Sequence, residues 1–373
     1  MDNSRNLIIC IDGTNNEPGY AKTNVQRLFR LLVKEPSQQL VYYQPGVGTL
    51  DPVGTMGALR RSSLRLLDAM TAWMLQRHVG AAYRYLSENY QPGDRIFLFG
   101  FSRGAYAVRV LAGMLSTVGL LYPGMHEMYP FAWKLYESYD PRAAASGGPI
   151  PYYQATRSFI TSYGRTVKIH FAGLWDTVSS VGNPWRPKVF HRTQKNAGVS
   201  IVRHAVSLDE RRTLFVQNLW GDASIEQDVR QVWFAGVHAD VGGGYKTGAD
   251  SKLAEIPFAW MLREAEQAGL MVDAEAVRKS RMRLHPKQIR HRAAGPMHDE
   301  LVAHRWWRLL ELLPIPRRTR RGSVWGSLSY RPHRGRARTL RDGALIHYSV
   351  FERMLADESY QPVNLPGHIV IVD

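Results

Sequence analysis

The stretch IFLFGFSRGAYAVRVLAG, residues 96–113, joins an apolar run to a series of good helix formers through a turn of small residues. Its first part has the length of a buried strand and its last part has the composition of a helix. Between them stands GFSRG, residues 100–104, and a G-x-S-x-G pattern in this context places a serine hydroxyl at an exposed, strained bend. We predict that Ser102 is a nucleophile and that Gly100 and Gly104 leave room for the bend. The alternative is a plain turn, since the pattern also occurs by chance.

Apolar runs that alternate with helical patterns on both sides of this stretch predict an α/β fold. Strands are predicted in NLIICI, QLVYYQ, RIFLFG, TVKIHFAGLW and DVRQVWFAGVH, and helices in TNVQRLFRLLVKE, the long segment 62–90 and KLAEIPFAWMLREAEQAG. The segment SIVRHAVSLDERR, residues 200–212, is also predicted to be helical. This alternation favours a doubly wound α/β architecture, with a mostly parallel central sheet and helices on both faces. The G-x-S-x-G bend between a strand and a helix makes the predicted architecture α/β-hydrolase-like.

The length of the chain predicts one large domain over residues 1–373 with two insertions. Residues 122–165, rich in aromatic residues and then in Ala, Gly and Pro, are predicted to form a helical insertion. Residues 278–342 are rich in arginine and are predicted to form a basic insertion or cap. We expect both insertions to lie over the site.

The composition indicates a folded, basic protein. Hydrophobic residues make up 45% of the 373 residues and charged residues 21%, which excludes a disordered chain, and the single cysteine, Cys10, excludes an internal disulfide framework. The formal net charge of +16 favours a solvated basic surface or attraction to a phosphate-bearing partner, which is a membrane or a nucleic acid. No apolar run is long enough to span a bilayer and no leader is recognisable, so we expect a soluble protein that is cytoplasmic as synthesised.

Two further strand ends supply the partners that a serine nucleophile requires. A hydroxyl needs a base to take its proton, and the base needs an acid that fixes its tautomer. Asp176 directly follows one predicted strand and His238 ends another, and the carboxyl ends of strands are where ligands bind in such sheets. The order serine, aspartate, histidine is that of the α/β-hydrolases. We therefore predict a catalytic triad of Ser102, Asp176 and His238.

Alternatives to each partner are present in the sequence. His204, before a predicted helical stretch, is the second choice for the base. His170 lies within a predicted strand and is either a core residue or exposed on the pleat. Asp209 and Asp240 are the alternative acids.

The oxyanion of acyl transfer needs two hydrogen-bond donors near the nucleophile. The amide of Arg103, at the start of the predicted helix, is the first candidate. The turn at Gly13 and Thr14 is the second, because glycine lets the backbone approach a substrate closely. Asp12 either supports this turn or simply caps the loop.

A metal-dependent phosphohydrolase or phosphodiesterase is the second functional hypothesis. His238 and Asp240 have a spacing found in metal ligands, and Asp12 and Asp176 would complete the set. This hypothesis leaves the serine turn unexplained. The favoured mechanism requires no metal and no organic cofactor.

Two features of the arginine-rich region suggest surface partners. Trp325 and Tyr330 with the surrounding arginines describe a nucleic-acid-binding surface, a third hypothesis that no recognised motif supports. The segment HRWWRLLELLPIP, residues 304–316, is either a packed helix or an element that enters a lipid headgroup layer. We favour packing, with peripheral contact to an anionic membrane as the alternative.

A series of segments along the chain resembles a known family. The segments are IICIDGTNN, YYQPGVGT, GFSRGAYAVR, GLWDTVSSVG, RHAVSLDERR, GVHADVGGGY and IHYSVFERM. Together they resemble the α/β-hydrolase domain of the first family of type VI secretion phospholipase effectors and of related bacterial proteins, from Leu7 to about Pro366. The resemblance implies a lipolytic serine hydrolase with Ser102 as nucleophile, Asp176 as acid and His238 as base. It also implies a lipid or ester substrate and export by a type VI-like route.

Overall fold

One eight-stranded sheet, in which all paired strands are parallel, forms the centre of the fold. The computed structural model describes residues 4–13, 21–46, 64–139, 150–178, 190–246, 248–304, 306–314, 317–321, 324–329 and 332–373. The described strands are β1 (Asn6–Ile11), β2 (Ala21–Thr23), β3 (Gln39–Gln44), β4 (Arg95–Phe101), β5 (Leu120–Leu121), β6 (Gly164–Arg165), β7 (Ile169–Trp175), β8 (Val199–Ser207), β9 (Asp228–Phe234), β10 (Gly243–Lys246), β11 (Arg317–Arg321), β12 (Val324–Ser329), β13 (Ala344–His347) and β14 (Ile369–Val372). The central sheet has the order β3-β1-β4-β7-β8-β9-β13-β14. The predicted α/β-hydrolase-like fold is confirmed.

The strand order reverses next to β1. The chain passes from β1 to β3 on one side and then to β4 on the other side, and the later strands of the sheet continue outward from β4. In open α/β sheets such a reversal leaves a crevice at the carboxyl ends of the strands, where ligands bind. Asp12 and Ser102 directly follow the two strands that flank this crevice.

Helices cover both faces of the sheet. They are α1 (Asn24–Leu31), α2 (Leu64–Asn89), α3 (Arg103–Val118), α4 (Tyr129–Glu137), α5 (Ile150–Tyr163), α6 (His238–Gly242), α7 (Lys252–Gln267), α8 (Ala274–Ser280), α9 (Pro286–Ala293), α10 (Glu300–Ala303), α11 (Trp306–Leu310) and α12 (Ser349–Ala356). Side chains from α2, α3 and α4 pack on one face, and side chains from α1, α7, α8 and α9 pack on the other. Segment 62–90, whose pattern fits one helix or two, contains the single helix α2.

The central strand β1 shows why the sheet is buried on both faces. Leu7, Ile9 and Ile11 belong to one apolar cluster, whereas Ile8 and Cys10 belong to the cluster on the opposite face. Alternate side chains of a strand point to opposite faces, so a continuous apolar run suits a strand that is covered on both sides. The thiol of Cys10 is fully buried there.

The prediction of a helix over residues 200–212 is wrong. The structure has strand β8 over Val199–Ser207, which pairs with both β7 and β9. Arg203 and His204 interrupt the apolar residues and produce a false helical spacing. Both side chains are buried with partners inside the sheet region: Arg203 binds Glu264, and His204 binds Gln231. Pairing on both edges therefore decided the structure of this segment.

Two other predicted boundaries differ in the structure. Strand β9 ends at Phe234, and His238 begins the short helix α6 instead of ending the strand. Gly236 adopts a φ of 106° and its amide donates to Asp209 at 2.6 Å, which ends the extended conformation. The helix predicted in segment 304–316 is shorter than that segment: among the described residues it is α11, Trp306–Leu310.

The two predicted insertions contain helices among their described residues. Residues 122–165 include α4 and α5, and residues 278–342 include α9, α10, α11 and the antiparallel pair of β11 and β12. The single-domain assignment of residues 1–373 and the role of the two insertions as a cap stay predictions. Among the described helices, none combines the length and apolar character that crossing a bilayer requires.

Candidate active site

Ser102 stands at a sharp bend between β4 and α3. Its φ of 59° and ψ of −124° are unusual for a residue with a side chain, and its amide donates to the carbonyl of Trp175 at 3.0 Å. A backbone held in such a conformation concentrates strain at one position, as functional sites often do. The bend directs the serine away from the strand and the helix that it connects.

The glycines on either side of Ser102 have a steric reason. A Cβ on Gly100 would lie 2.7 Å from the backbone of Ala105, and a Cβ on Gly104 would lie 2.3 Å from the carbonyl oxygen of Ile11. Both distances are far below van der Waals contact. The bend therefore needs glycine at both positions, so that strand β1, strand β4 and helix α3 can approach one another.

The side chains of Ser102, His238 and Asp176 form one hydrogen-bonded chain. His238 Nε2 lies 2.8 Å from Ser102 Oγ, and His238 Nδ1 lies 2.6 Å from Asp176 Oδ2. Asp176 directly follows β7 and has a φ of 37°, a second strained position at this edge of the sheet. Three residues far apart in the sequence thus meet at the carboxyl ends of parallel strands.

An arginine that the sequence analysis did not single out completes the surroundings of Asp176. Arg338 Nη1 donates to Asp176 Oδ1 at 2.5 Å and Nη2 donates to Oδ2 at 3.0 Å. The side chain of Arg338 is 3% exposed and also donates to Ser207 and to the carbonyl of Phe215. Arg338 could not be recognised from the sequence, because it stands among many arginines in region 278–342, whose composition is that of a solvated surface.

Burial and charge set the protonation of the aspartate and the histidine. Burial by itself raises the pKa of Asp176, but the Arg338 guanidinium and the His238 hydrogen bond outweigh it and hold that pKa well below its usual range. Burial also lowers the pKa of His238, and the hydrogen bond to Asp176 only partly compensates. An ionised aspartate therefore faces a neutral imidazole at pH 7, which is the arrangement that a general base requires.

Aromatic rings and a second ion pair hold His238 in place. The ring of Phe101 lies 4.7 Å from the imidazole and the ring of Phe215 lies 4.9 Å from it, edge-on. The backbone amide of His238 donates to Glu210 at 3.2 Å, and Glu210 is held in turn by Arg212. The imidazole therefore has little freedom to leave the serine.

The alternative base does not lie in the triad. His204 is fully buried in β8, accepts from the amide of Thr177 at 3.1 Å and contacts Gln231, and burial lowers its pKa to about 3. His170 is half-buried on β7 and contacts the carbonyl of Ala268.

The alternative acids also bind other partners. Asp240 accepts from the amide of Val237 and lies 2.7 Å from Nδ1 of His298. Asp209 accepts from the amide of Gly236 and from the hydroxyl of Tyr360. The structure brings neither carboxylate to His238.

The predicted oxyanion donors divide into three cases. Arg103 is the first residue of α3, so its amide has no acceptor within the helix. The amide of Gly13 donates to Asp12 Oδ1 at 2.7 Å and is occupied in this conformation, which departs from its predicted role. Thr14 lies outside the described residues. Asp12 also accepts from Thr23 and Tyr43, so its carboxylate braces the end of β1.

The residues proposed as a metal set are engaged elsewhere. Asp176 binds Arg338 and His238, Asp240 binds His298, and Asp12 binds Thr23 and Tyr43, as described above. Within the described part of the chain, no group of three or more His, Cys, Asp or Glu residues is arranged to hold a metal ion.

The side chain of Trp325 and all of Tyr330, named for a nucleic-acid surface, lie outside the described residues.

A cavity of about 540 Å³ opens away from these residues. Arg230, Trp260, Tyr348 and the end of β14 are among the residues that line it, and none of the triad residues does. Ser102 and His238 are themselves buried. The cavity therefore has no part in the arrangement around Ser102.

Comparison with known proteins gives a family for the chain. Residues 5–264 match the model of the family described as "T6SS, Phospholipase effector Tle1-like, catalytic domain". The matched range includes Ser102, Asp176 and His238 but ends before Arg338.

Individual relatives cover the chain in part. It is 41% identical over 225 residues to the uncharacterized protein YEL023C of Saccharomyces cerevisiae, which covers 57% of this chain and 32% of that protein. The chain thus spans about a third of the length of this curated relative.

Solved structures give weaker likenesses. An uncharacterized protein from Pseudomonas aeruginosa has 20% identity and a TM-score of 0.45, over 82% of this chain and 51% of that one. The Tle1 effector bound to the VgrG spike of the type 6 secretion system has 14% identity and a TM-score of 0.45, over 82% and 83% of the two chains. The family match covers well over half of the sequence, and on that match the chain belongs to the Tle1-like phospholipase effector family, in the part that forms its catalytic domain.

Proposed function

We propose that the protein is a serine ester hydrolase and that phospholipids are its substrate class. The observation that carries the proposal is the hydrogen-bond chain from Ser102 through His238 to Asp176, with distances of 2.8 and 2.6 Å. The strained backbone of Ser102 and the lowered pKa of His238 support the same chemistry. Nucleophile, base and orienting acid each have the geometry that acyl transfer requires.

In the proposed reaction, His238 takes the proton of Ser102 while the serine oxygen attacks the acyl carbonyl carbon. Asp176 accepts from Nδ1–H of the ring and stabilises the imidazolium that forms. The imidazolium then gives its proton to the leaving alcohol oxygen as the carbon–oxygen ester bond breaks. Water, deprotonated by the same ring, attacks the acyl-serine and releases the carboxylic acid.

The amide of Arg103 is proposed as the first donor to the oxyanion of both tetrahedral intermediates. Its position at the start of α3 adds the partial positive charge of the helix N-terminus. Gly13 can serve as the second donor only when its amide leaves the carboxylate of Asp12. Such a donor, when deleted, costs on the order of 10²-fold in turnover.

The choice of phospholipids rests on the family and on charge. The family description names phospholipase effectors, and a net charge of +16 attracts anionic lipid surfaces. Export by a type VI-like route stays a prediction, and a yeast protein contains a segment that is 41% identical to part of this chain.

The test is one panel of substrates offered to the parent protein and to Ser102→Ala. Short esters, long esters and phospholipid vesicles are compared, and the variant should lose on the order of 10⁶ in turnover on whichever substrate is cleaved. Ser37→Ala, a change at an exposed serine, is the matched control and should leave turnover unchanged. Turnover that survives in Ser102→Ala but is abolished by EDTA would support the metal-dependent alternative instead.

A further inference from the structure

Four apolar side chains in the arginine-rich region are exposed to solvent. Val302 lies on α10, Leu309 lies on α11, and Leu312 and Leu313 lie in the turn after α11. The side chains of Leu309 and Leu312 are 69% and 60% exposed. The amide of Leu312 donates to the carbonyl of Leu309, so these two side chains lie on the same side of a tight turn. A group of exposed leucines marks an interaction surface, whereas single ones are ordinary.

Exposed arginines border these leucines. The loop that carries Arg334 and Arg336 lies against the turn, because the amide of Arg334 donates to the carbonyl of Glu311 at 3.1 Å. The carboxylate of Glu311 is buried and bonded to the protein, so it adds no negative charge to the surface. Glu311 and Asp342 are the only acidic residues between 301 and 342. The surface is therefore apolar at its centre, with Arg334 and Arg336 at its rim. Asp299, which caps α10 beside Val302, is half-exposed and paired with Arg211.

Helix α11 and the turn after it pack against Phe215, which contacts the predicted catalytic histidine. The ring of Trp307 lies 5.6 Å from the ring of Phe215, which in turn lies 4.9 Å from the imidazole of His238. Glu311 also accepts a hydrogen bond from the amide of Thr213, two residues before Phe215. The helix that carries Leu309 is therefore linked to His238 through two aromatic contacts.

We propose that Val302, Leu309, Leu312 and Leu313, with Arg334 and Arg336, form a docking patch for an anionic lipid bilayer. The leucines enter the boundary between headgroups and acyl chains, and the arginines contact the anionic headgroups. This proposal rests on the proposed function, because docking would bring an ester-cleaving site to the lipids that it hydrolyses. It reverses the sequence-based preference for a fully packed segment at 304–316.

Lipid is the partner that suits both parts of the docking patch. Nucleic acid is bound through cations and stacked aromatic rings, and exposed leucines contribute little to that contact. A bilayer surface gains free energy from buried apolar side chains and from neutralised headgroups at the same time.

The first measurement is vesicle binding in the Ser102→Ala background, so that the lipid is not consumed. Vesicles of phosphatidylcholine with phosphatidylglycerol are compared with vesicles of phosphatidylcholine alone by co-sedimentation. Leu309→Ser/Leu312→Ser should weaken binding to the anionic vesicles by about tenfold or more, since two leucines no longer leave water. Arg334→Gln/Arg336→Gln should weaken it by about fivefold per arginine and remove the preference for anionic lipid.

Ile225→Ser/Leu355→Ser is the matched control. Both side chains are strongly exposed. Ile225 lies in the loop before β9, at the amino ends of the strands, whereas Ser102 lies at their carboxyl ends. This control should bind vesicles as the parent does. If the control variant loses as much vesicle binding as the patch variant, the effect comes from exposed apolar side chains in general, and the proposal is overturned.

Turnover, measured with Ser102 intact, separates this proposal from the proposed function. Leu309→Ser/Leu312→Ser should retain the parent's turnover of a short, dispersed ester and lose turnover of anionic vesicles. Equal loss on both substrates, unchanged vesicle binding, or a change from dimer to monomer in the patch variant would each contradict lipid docking. If the parent cleaves no ester at all, the proposed function fails, while the binding experiment still decides whether the patch binds lipid.

Discussion

Two aspartate–histidine pairs lie close together at one edge of the sheet, and they differ in their surroundings. His238 bonds Asp176 and His298 bonds Asp240, at 2.6 and 2.7 Å. The pKa of His238 is lowered, because the ring is buried, whereas the pKa of His298 is raised, chiefly by its hydrogen bond to Asp240. The side chain of His298 is 25% exposed and that of His238 is 7% exposed. The same pair of side chains thus favours the neutral imidazole in one place and the protonated imidazole in the other.

The aspartates differ as much as the histidines. Asp176 shares its charge with Arg338, so less of its negative potential is available to hold a proton on His238. Asp240 accepts backbone amides besides His298, and no arginine is described on it. Environment, more than the identity of the two residues, thus sets the proposed role of each pair.

The largest expected effect comes from removing the charge at the centre of the buried pair. Asp176→Asn should lower turnover by about 10⁴-fold, because the amide favours the wrong tautomer of His238. It should also lower the free energy of unfolding by about 3 to 5 kcal/mol, because Arg338 is left as an unpaired buried cation. Turnover of a short ester and urea unfolding measure the two effects.

The double variant Asp176→Asn/Arg338→Met is the control for that prediction. It removes the unpaired cation, so it should recover stability without recovering turnover. Recovery of turnover in the double variant would show that Asp176 acts only through the fold.

A smaller effect is expected at the arginine. Arg338→Met should lower turnover at pH 7 by up to about 10²-fold through misplacement of Asp176. It should also move the acid limb of the kcat/KM profile to higher pH. The sign follows because Asp176, freed of the guanidinium, stabilises the imidazolium more, which raises the pKa of His238, and the reaction needs the neutral ring.

Arg338→Lys tests whether Arg338 positions the acid through its charge. Lysine keeps the charge but not the two parallel hydrogen bonds, so the limb should return toward its parental position while part of the loss in turnover persists. If both variants have lowered turnover but the acid limb of the kcat/KM profile does not move, Arg338 contributes to folding alone.

The smallest effect is expected at the second pair. The raised pKa of His298 means that its contribution to stability is fully present below the unfolded value of about 6.5 and is lost as pH rises through the folded value. His298→Gln should therefore flatten the pH dependence of urea unfolding across this window, with turnover near that of the parent. Parallel stability curves for the two proteins would contradict a titrating His298.

Much of the fold could be predicted from local sequence patterns. The apolar run of β1 and the helix-forming segment of α3 are strong signals, because burial on both faces and helical spacing leave few alternatives. The strand β8 could not be recognised in this way. Its polar residues Arg203 and His204 are buried only because Glu264 and Gln231 come to them from distant parts of the chain.

The site divides along the same line. Ser102, Asp176 and His238 could be named because each follows or lies near a strand end, where the sheet itself brings side chains together. Arg338 could not be named, since it stands among similar arginines and only the tertiary structure distinguishes it from exposed Arg334 and Arg336. Whether the three named residues are catalytic stays a prediction until Ser102→Ala is assayed.

The position of Cys10 has a practical consequence. The one thiol of the chain is sealed inside β1, and burial raises its pKa well above that of a free cysteine, so it stays unreactive toward ordinary maleimide reagents in the native state. A fluorophore attached to a cysteine introduced at Leu309 would then be the sole reporter on the molecule. Quenchers attached at known depths along the lipid chains would measure how far residue 309 inserts into the bilayer. The same dye on a cysteine introduced at Ile225 would give the fluorescence of a position that stays in water.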